Sequence, residues 1–157
     1  MNVLAKDVMN PKVISVTTGT TLKEAVRIFS DHKISGLPVV DMNEKLVGML
    51  TERDIIQYSS KLHVVPMLDS SGWISPYENP GELFDYKRGF ELLEKTVAEK
   101  IMSTKVVSVK LDTPGPEVAK IMMKKKINHV PVVDQRGKLC GMIARNDLIE
   151  YLASTME

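Results

Sequence analysis

A threonine and an aspartate three residues apart, Thr51 and Asp54, stand where an apolar run gives way to a helical pattern. Two kinds of chemistry suit that pair. At a helix start the hydroxyl can accept a backbone N–H, and an acidic residue in the first turn suits the helix dipole. The outward-pointing N–H groups of such a start also favour an anion such as phosphate, so the junction could hold a ligand. A second version of the pair occurs downstream, where Ala144 and Asp147 keep the carboxylate but lose the hydroxyl. Asp147 is therefore not expected to form half of a reciprocal cap, although the dipole argument still applies to it. Arg53 and Arg145 beside these pairs are either phosphate ligands or solvated surface arginines.

Other chemistries find little support. His32, His63, His129 and Cys140 show no metal-ligand spacing, so no metal site is expected. No Ser/His/Asp or Cys/His arrangement can be built, no Gly-rich phosphate loop is present, and an enzyme is not expected. Cys140 reads as a small buried hydrophobe, and the methionines, including Met49, Met122, Met123 and Met142, read as core filling. The formal net charge of +1 gives no electrostatic argument for nucleic acid or an anionic membrane. Apolar runs are too short to span a bilayer, and MNVLAKDVMN lacks the pattern of a secretory signal, so a cytoplasmic protein is expected.

The elements that must position the two junctions come from a repeat. Residues 34–58 and 127–151 align without a gap at an offset of 93, matching Pro38 to Pro131, Gly48 to Gly141 and Asp54 to Asp147. Extended back to Val8 and Ile101, the alignment gives about 21 identities in roughly 51 positions. In the first copy a short helix over 3–9 precedes a strand at Val13–Val16. A Thr21–Glu24 capping box then opens a helix that buries Leu22, Ala25, Val26 and Phe29. Strands follow at Leu37–Val40 and Lys45–Leu50, and a helix starts at Thr51. The second copy repeats the plan. A Thr96–Glu99 capping box opens its leading helix, and Val106–Val109 is its first strand. Pro114 and Pro116 start a helix whose apolar face is Val118, Ile121 and Met122. Strands at Val130–Val133 and Lys138–Ile143 turn at Gln135–Gly137. Neither copy can cover its own apolar sheet face, so the two should pack together.

The sequence divides into a first repeat at 1–58, a partly ordered connector at 59–94 and a second repeat at 95–157. The connector holds Trp73, Tyr77, Phe84, Tyr86 and Phe90, so part of it should fold against something, either as a packed connector or as a lid. Phe90, Leu93, Val97 and Ile101 are spaced as one helical face running into the second repeat.

The doubled [LV]-P-V-V-D followed by G-M-x-[TA]-x-x-D resembles a tandem CBS-domain pair, the Bateman module. That resemblance covers nearly the whole chain outside 59–94. It implies an α/β (α+β) fold of two β-α-β-β-α repeats packed about a pseudo-twofold axis. The clefts between such repeats bind adenine nucleotides or related adenosyl ligands in many members. In that family the Ser/Thr reaches ribose or phosphate and the Asp accepts from ribose hydroxyls, roles that fall on Thr51 and Asp54. Ile34, Ser35 and Gly36 resemble residues that line the base, with Val13 and Ile14 as an apolar opposite wall. The corresponding positions of the second copy are Val106, Val107, Ile127, Asn128, His129 and Asp147. His129 either reaches a phosphate or is a partly buried histidine bonded to its neighbours. The resemblance implies a regulatory, ligand-sensing module with no required cofactor and with an adenine nucleotide or S-adenosylmethionine as effector. A homodimer through the helices after Thr51 and Arg145 and an unidentified regulated partner protein complete the expectation. The alternative is a scaffold that dimerises without a ligand.

Overall fold

Alternating apolar stretches and capped helical patterns give a mixed α+β chain in the computed structural model, which describes residues 2–62, 68–69, 72–73 and 80–156. The first repeat supplies α1 (Ala5–Val8), β1 (Val16–Thr17), α2 (Leu22–His32), β2 (Gly36–Val40), β3 (Leu46–Thr51) and α3 (Glu52–Lys61). A two-stranded antiparallel pair, β4 (Leu68–Asp69) with β5 (Gly72–Trp73), and α4 (Pro80–Lys95) follow. The second repeat supplies α5 (Ala98–Ile101), β6 (Val109–Lys110), α6 (Gly115–Lys125), β7 (His129–Val133), β8 (Leu139–Ala144) and α7 (Arg145–Thr155). Two three-stranded sheets result, in the orders β1-β2-β3 and β6-β7-β8.

Each compact unit draws on both repeats. One comprises Met1–Ser15, Val40–Gly48 and Thr104–Glu157; the other comprises Val16–Val39 and Met49–Ser103. In the first unit, α1 docks on second-repeat backbone: Ala5 N–H donates to Thr113 O at 2.7 Å, and Lys6 N–H donates to Leu111 O at 3.0 Å. Asn10 and Met142 exchange backbone hydrogen bonds of 2.9 and 3.0 Å. The other unit repeats these bonds at the same offset of 93. Ala98 N–H donates to Thr20 O at 2.8 Å, Glu99 N–H to Thr18 O at 3.1 Å, and Met49 and Ser103 exchange two bonds of 2.9 Å. In the first unit Ala5 joins Val109, Val118, Met122, Val130, Val132 and Ile143 in one core.

Most expected elements form, with some departures. The strands begin later than Val13 and Val106, at Val16 and Val109. Thr21 and Glu24 cap α2 reciprocally, at 3.2 and 2.9 Å. Leu22, Ala25 and Phe29 are buried as expected, but Val26 is exposed. Thr96 does not cap α5. The N-cap there is Val97, and the buried Thr96 hydroxyl donates to Leu92 O at 2.6 Å and lies 3.2 Å from the Tyr58 hydroxyl. The helical pattern therefore breaks between α4 and α5, and Phe90, Leu93, Val97 and Ile101 do not share one helix; Phe90 is exposed. Met122 is buried, whereas Met123 is 72% exposed and fills no core. Cys140 is half-buried rather than buried and donates to Lys138 O at 3.4 Å. The side chains of Trp73, Tyr77, Phe84 and Tyr86, expected to be partly buried, lie outside the described residues.

The two hairpin turns are also paired in sequence. Asp134 Oδ1 accepts the Arg136 and Lys138 N–H groups at 2.8 and 3.0 Å, and Asp41 Oδ1 accepts from Asn43 and Lys45 in the same way. The Lys138 N–H leads in holding the Asp134 carboxyl below its ordinary value, with slight burial opposing and the Arg136 N–H assisting. Glu44 takes the left-handed conformation at the position where the second repeat has Gly137, and its carboxylate pairs with Lys138 at 2.8 Å. Both groups are exposed, so this ion pair is worth little in stability.

The docking of α1 can be tested at Gly141. A Cβ there would run into Met9 Sδ and sit 3.1 Å from Asn10 O, whereas one at Gly19 meets nothing within 4 Å. Gly141→Ala should therefore lower stability by about 1–3 kcal/mol through overpacking. Gly19→Ala should change it little, and urea denaturation of the two variants makes the comparison.

Candidate functional site

The β3–α3 junction carries the strongest candidate chemistry. Thr51 sits in extended backbone as the N-cap of α3, with its hydroxyl accepting from Asp54 N–H at 3.2 Å. Asp54 Oδ2 returns the bond, accepting Thr51 N–H at 2.9 Å. Glu52 N–H donates to Ser35 O at 3.1 Å, which ties the Ile34–Ser35–Gly36 backbone to the start of the helix. The pair thus caps the helix, and its valences are not exhausted by doing so. A hydroxyl that accepts still has a hydrogen to donate, and a carboxylate has a second oxygen. Both side chains are half-buried, so these groups remain within reach of a ligand.

The β8–α7 junction is the same construction with one part missing. Asp147 Oδ2 accepts Ala144 N–H at 2.6 Å, so Asp147 makes a one-sided bond rather than half of a reciprocal cap. The missing half is the hydroxyl acceptor for the Asp147 N–H, which an alanine cannot provide. Arg145 N–H donates to Asn128 O at 3.2 Å, matching the Glu52–Ser35 bond, and His129 lies opposite Ala144 in the β7–β8 register. His129 and Ile127 are half-buried, while Asn128, Arg53 and Arg145 are exposed.

The remaining expected residues divide between the two units. Val13, Ile14, Val106, Val107, Ile127, Asn128, His129 and Asp147 belong to one; Ile34, Ser35, Gly36, Thr51 and Asp54 belong to the other. Val13 lines a cavity of about 320 Å³ with Ser15, Val40 and Lys138, and Val106 lines one of about 250 Å³ with Ser108, Val133 and Lys110. These two cavities lie in one unit and correspond largely at the offset of 93: Val13 to Val106, Ser15 to Ser108 and Val40 to Val133. Gly36 is buried, and Ile14 and Val107 are half-buried.

Asp54 also lines a third cavity, of about 320 Å³, with Gln57, Tyr58 and Lys61 of α3 and Lys100 and Ile101 of α5. Sequence reasoning missed these residues. The helical spacing of Asp54, Tyr58 and Lys61 was available as a signal. Lys100 had none, because only the docking of α5 in that unit brings it there. Among the described residues no group of histidine, cysteine or carboxylate side chains could hold a metal ion.

Comparison with known proteins follows this geometry closely. The CBS domain family model matches the chain twice, over residues 5–61 and 97–154. An uncharacterized protein of Methanocaldococcus jannaschii is 33% identical over 153 residues, covering 95% of this chain and 90% of that one. Two solved structures superpose over nearly their full length. CBSX2, a CBS-pair protein of Arabidopsis thaliana solved in complex with AMP, has a TM-score of 0.74 at 20% identity, covering 98% of each chain. The CBS domain pair of protein MJ0100, solved with 5′-methylthioadenosine and S-adenosyl-L-methionine, has a TM-score of 0.72 at 25% identity, covering 99% of each.

The unequal caps give a direct test. Thr51→Ala should destabilise the protein by about 0.5–2 kcal/mol, the usual range for losing an N-cap side chain. Ala144→Thr should recover part of that amount at the other helix. Chemical denaturation of the two variants and the wild type reads both changes.

Proposed function

We propose that this chain, which belongs to the CBS domain family, is a regulatory module that senses an adenine nucleotide or a related adenosyl ligand. The ligand binds at the β3–α3 junction. The carrying observation is the arrangement of Thr51 and Asp54, which caps α3 while leaving a hydroxyl hydrogen and a carboxylate oxygen to meet ribose hydroxyls. The backbone of Ile34, Ser35 and Gly36 is held beside that point and can edge the base. The presence of AMP in CBSX2, and of two adenosyl compounds in the MJ0100 pair, supports the ligand class.

Output then passes to another polypeptide or to a second copy of the chain. Ile56 on α3 and Ile149 on α7 correspond at the offset of 93, and both are exposed, as is Leu152. They suit the expected homodimer. No helix among the described residues is long and apolar enough to cross a membrane, and we assign the module to the cytoplasm. The rival reading, a scaffold that dimerises without a ligand, draws on the completeness of the Thr51–Asp54 cap.

Titration calorimetry separates the two. A hydrogen bond to a charged group contributes about 1.5–3 kcal/mol, which corresponds to about ten- to a hundredfold in affinity. Asp54→Ala, shown by circular dichroism to stay folded, should lose the tighter site for AMP or S-adenosylmethionine. Asp147→Ala should affect only a weaker one. Equal losses from both variants would remove the asymmetry, undiminished binding in both would remove the motif from the site, and no binding by the wild type would favour the scaffold.

A further inference from the structure

The cavity beside Asp54 changes character along its length. Asp54, Tyr58 and Lys61 recur at i, i+4 and i+7 on α3, so the backbone positions of the carboxylate and the lysine stand about 10 Å apart along the helix axis. Lys100 of α5 adds a second ammonium to the same lining. The Asp54 carboxylate already lends one oxygen to Thr51 N–H, and the Tyr58 hydroxyl lies at hydrogen-bonding distance from Thr96. Among the described residues neither lysine is drawn into an ion pair. The lining thus sets two ammonium groups against one carboxylate, a net positive charge that a bound anion would offset.

The position of Lys61 in the last turn of α3 would suit the helix dipole without any ligand. Lys100 also stands in the last turn of α5, but a four-residue helix carries little dipole, and the other copy differs across the whole set. At the offset of 93 the counterparts of Asp54, Gln57, Tyr58, Lys61 and Lys100 are Asp147, Glu150, Tyr151, Ser154 and Asp7. There α1 lies against α7 as α5 lies against α3. The same face that carries two lysines and one carboxylate in one unit carries three carboxylates and no lysine in the other.

We propose that the first repeat's site takes a phosphate-bearing adenosine ligand, its phosphate held by Lys61 and Lys100, and that the corresponding face of the second repeat rejects phosphate. This rests on the reading of the Thr51–Asp54 junction as the ribose site, and it narrows that reading. A sulfonium such as that of S-adenosylmethionine brings a positive charge toward the two ammonium groups and is disfavoured there. An AMP-like ligand places its ribose at Asp54 and its charge at the lysines. Charge-assisted hydrogen bonds of this kind are short and strong, and their long-range part weakens with salt.

Calorimetry with AMP, adenosine and S-adenosylmethionine at low and high salt tests this on the wild type and the Lys61→Gln, Lys100→Gln and double variants. Both lysines are exposed, so these variants should fold. AMP should bind one site per chain at least about tenfold more tightly than adenosine, with an affinity that falls as salt rises. The double variant should bring AMP to the affinity of adenosine and leave adenosine unchanged. If AMP and adenosine bind equally, or the double variant leaves AMP unaffected while Asp54→Ala abolishes binding, the phosphate assignment is overturned and the ribose site stands. If no adenosyl compound binds, both fall together.

Discussion

The backbone pairing that docks each leading helix is the constraint on which the rest of the structure depends. Each leading helix docks on elements of the other repeat, α1 on α6, α7 and β8 and α5 on α3. α1 is fixed by the bonds of Ala5 to Thr113 and of Asn10 with Met142, and α5 by those of Ala98 to Thr20 and of Ser103 with Met49. A four-residue helix is far below the length at which helices are stable alone, so both owe their existence to these partners and to burial of Ala5 and Ala98. Gly141 suits the contact because a Cβ there would press on the Met9 side chain and on Asn10 O.

The proposed site depends on the same docking. The β3–α3 junction has Thr51 and Asp54 regardless of α5, but Lys100 joins Lys61 in the lining beside Asp54 only because α5 lies in that unit. The two repeats share one backbone plan and differ in the side chains placed on it. Thr51 becomes Ala144, Lys61 becomes Ser154 and Lys100 corresponds to Asp7. A duplicated scaffold with unequal charge can bind one ligand class in one copy and exclude it from the other, which is a difference of affinities produced by repulsion as much as by attraction.

Much of this was legible in the sequence, for physical reasons that vary by element. The buried β2 and, apart from half-buried His129, β7 announce themselves as apolar runs, and the Thr21–Glu24 cap follows from residue types suited to reciprocal bonding at a helix start. The Thr96–Glu99 cap has the same types and does not form, because the Thr96 hydroxyl is taken by Leu92 O and the chain bridges at Val97 to Thr21. Val26 has helical spacing but stands beside Phe90 and Leu93 in an open groove lined by α2 and α4. The docking of the leading helices was not legible at all. It is carried by N–H and C=O groups that every residue possesses, so no side-chain pattern records it. Lys100 was invisible for that reason, and Thr51 with Asp54 was visible because side chains make that junction.

Native-state hydrogen exchange at the Asn10 and Ser103 amides tests the docking most directly. Both donate across the exchanged pairing, to Met142 O and Met49 O. We expect Asn10 to open with the same free energy as the strand amides of β7, and Ser103 with those of β2, each as a member of its own cooperative unit. Asn10 and Ser103 exchanging as freely as a frayed terminus, while β7 and β2 remain protected, would contradict the docking of the leading helices.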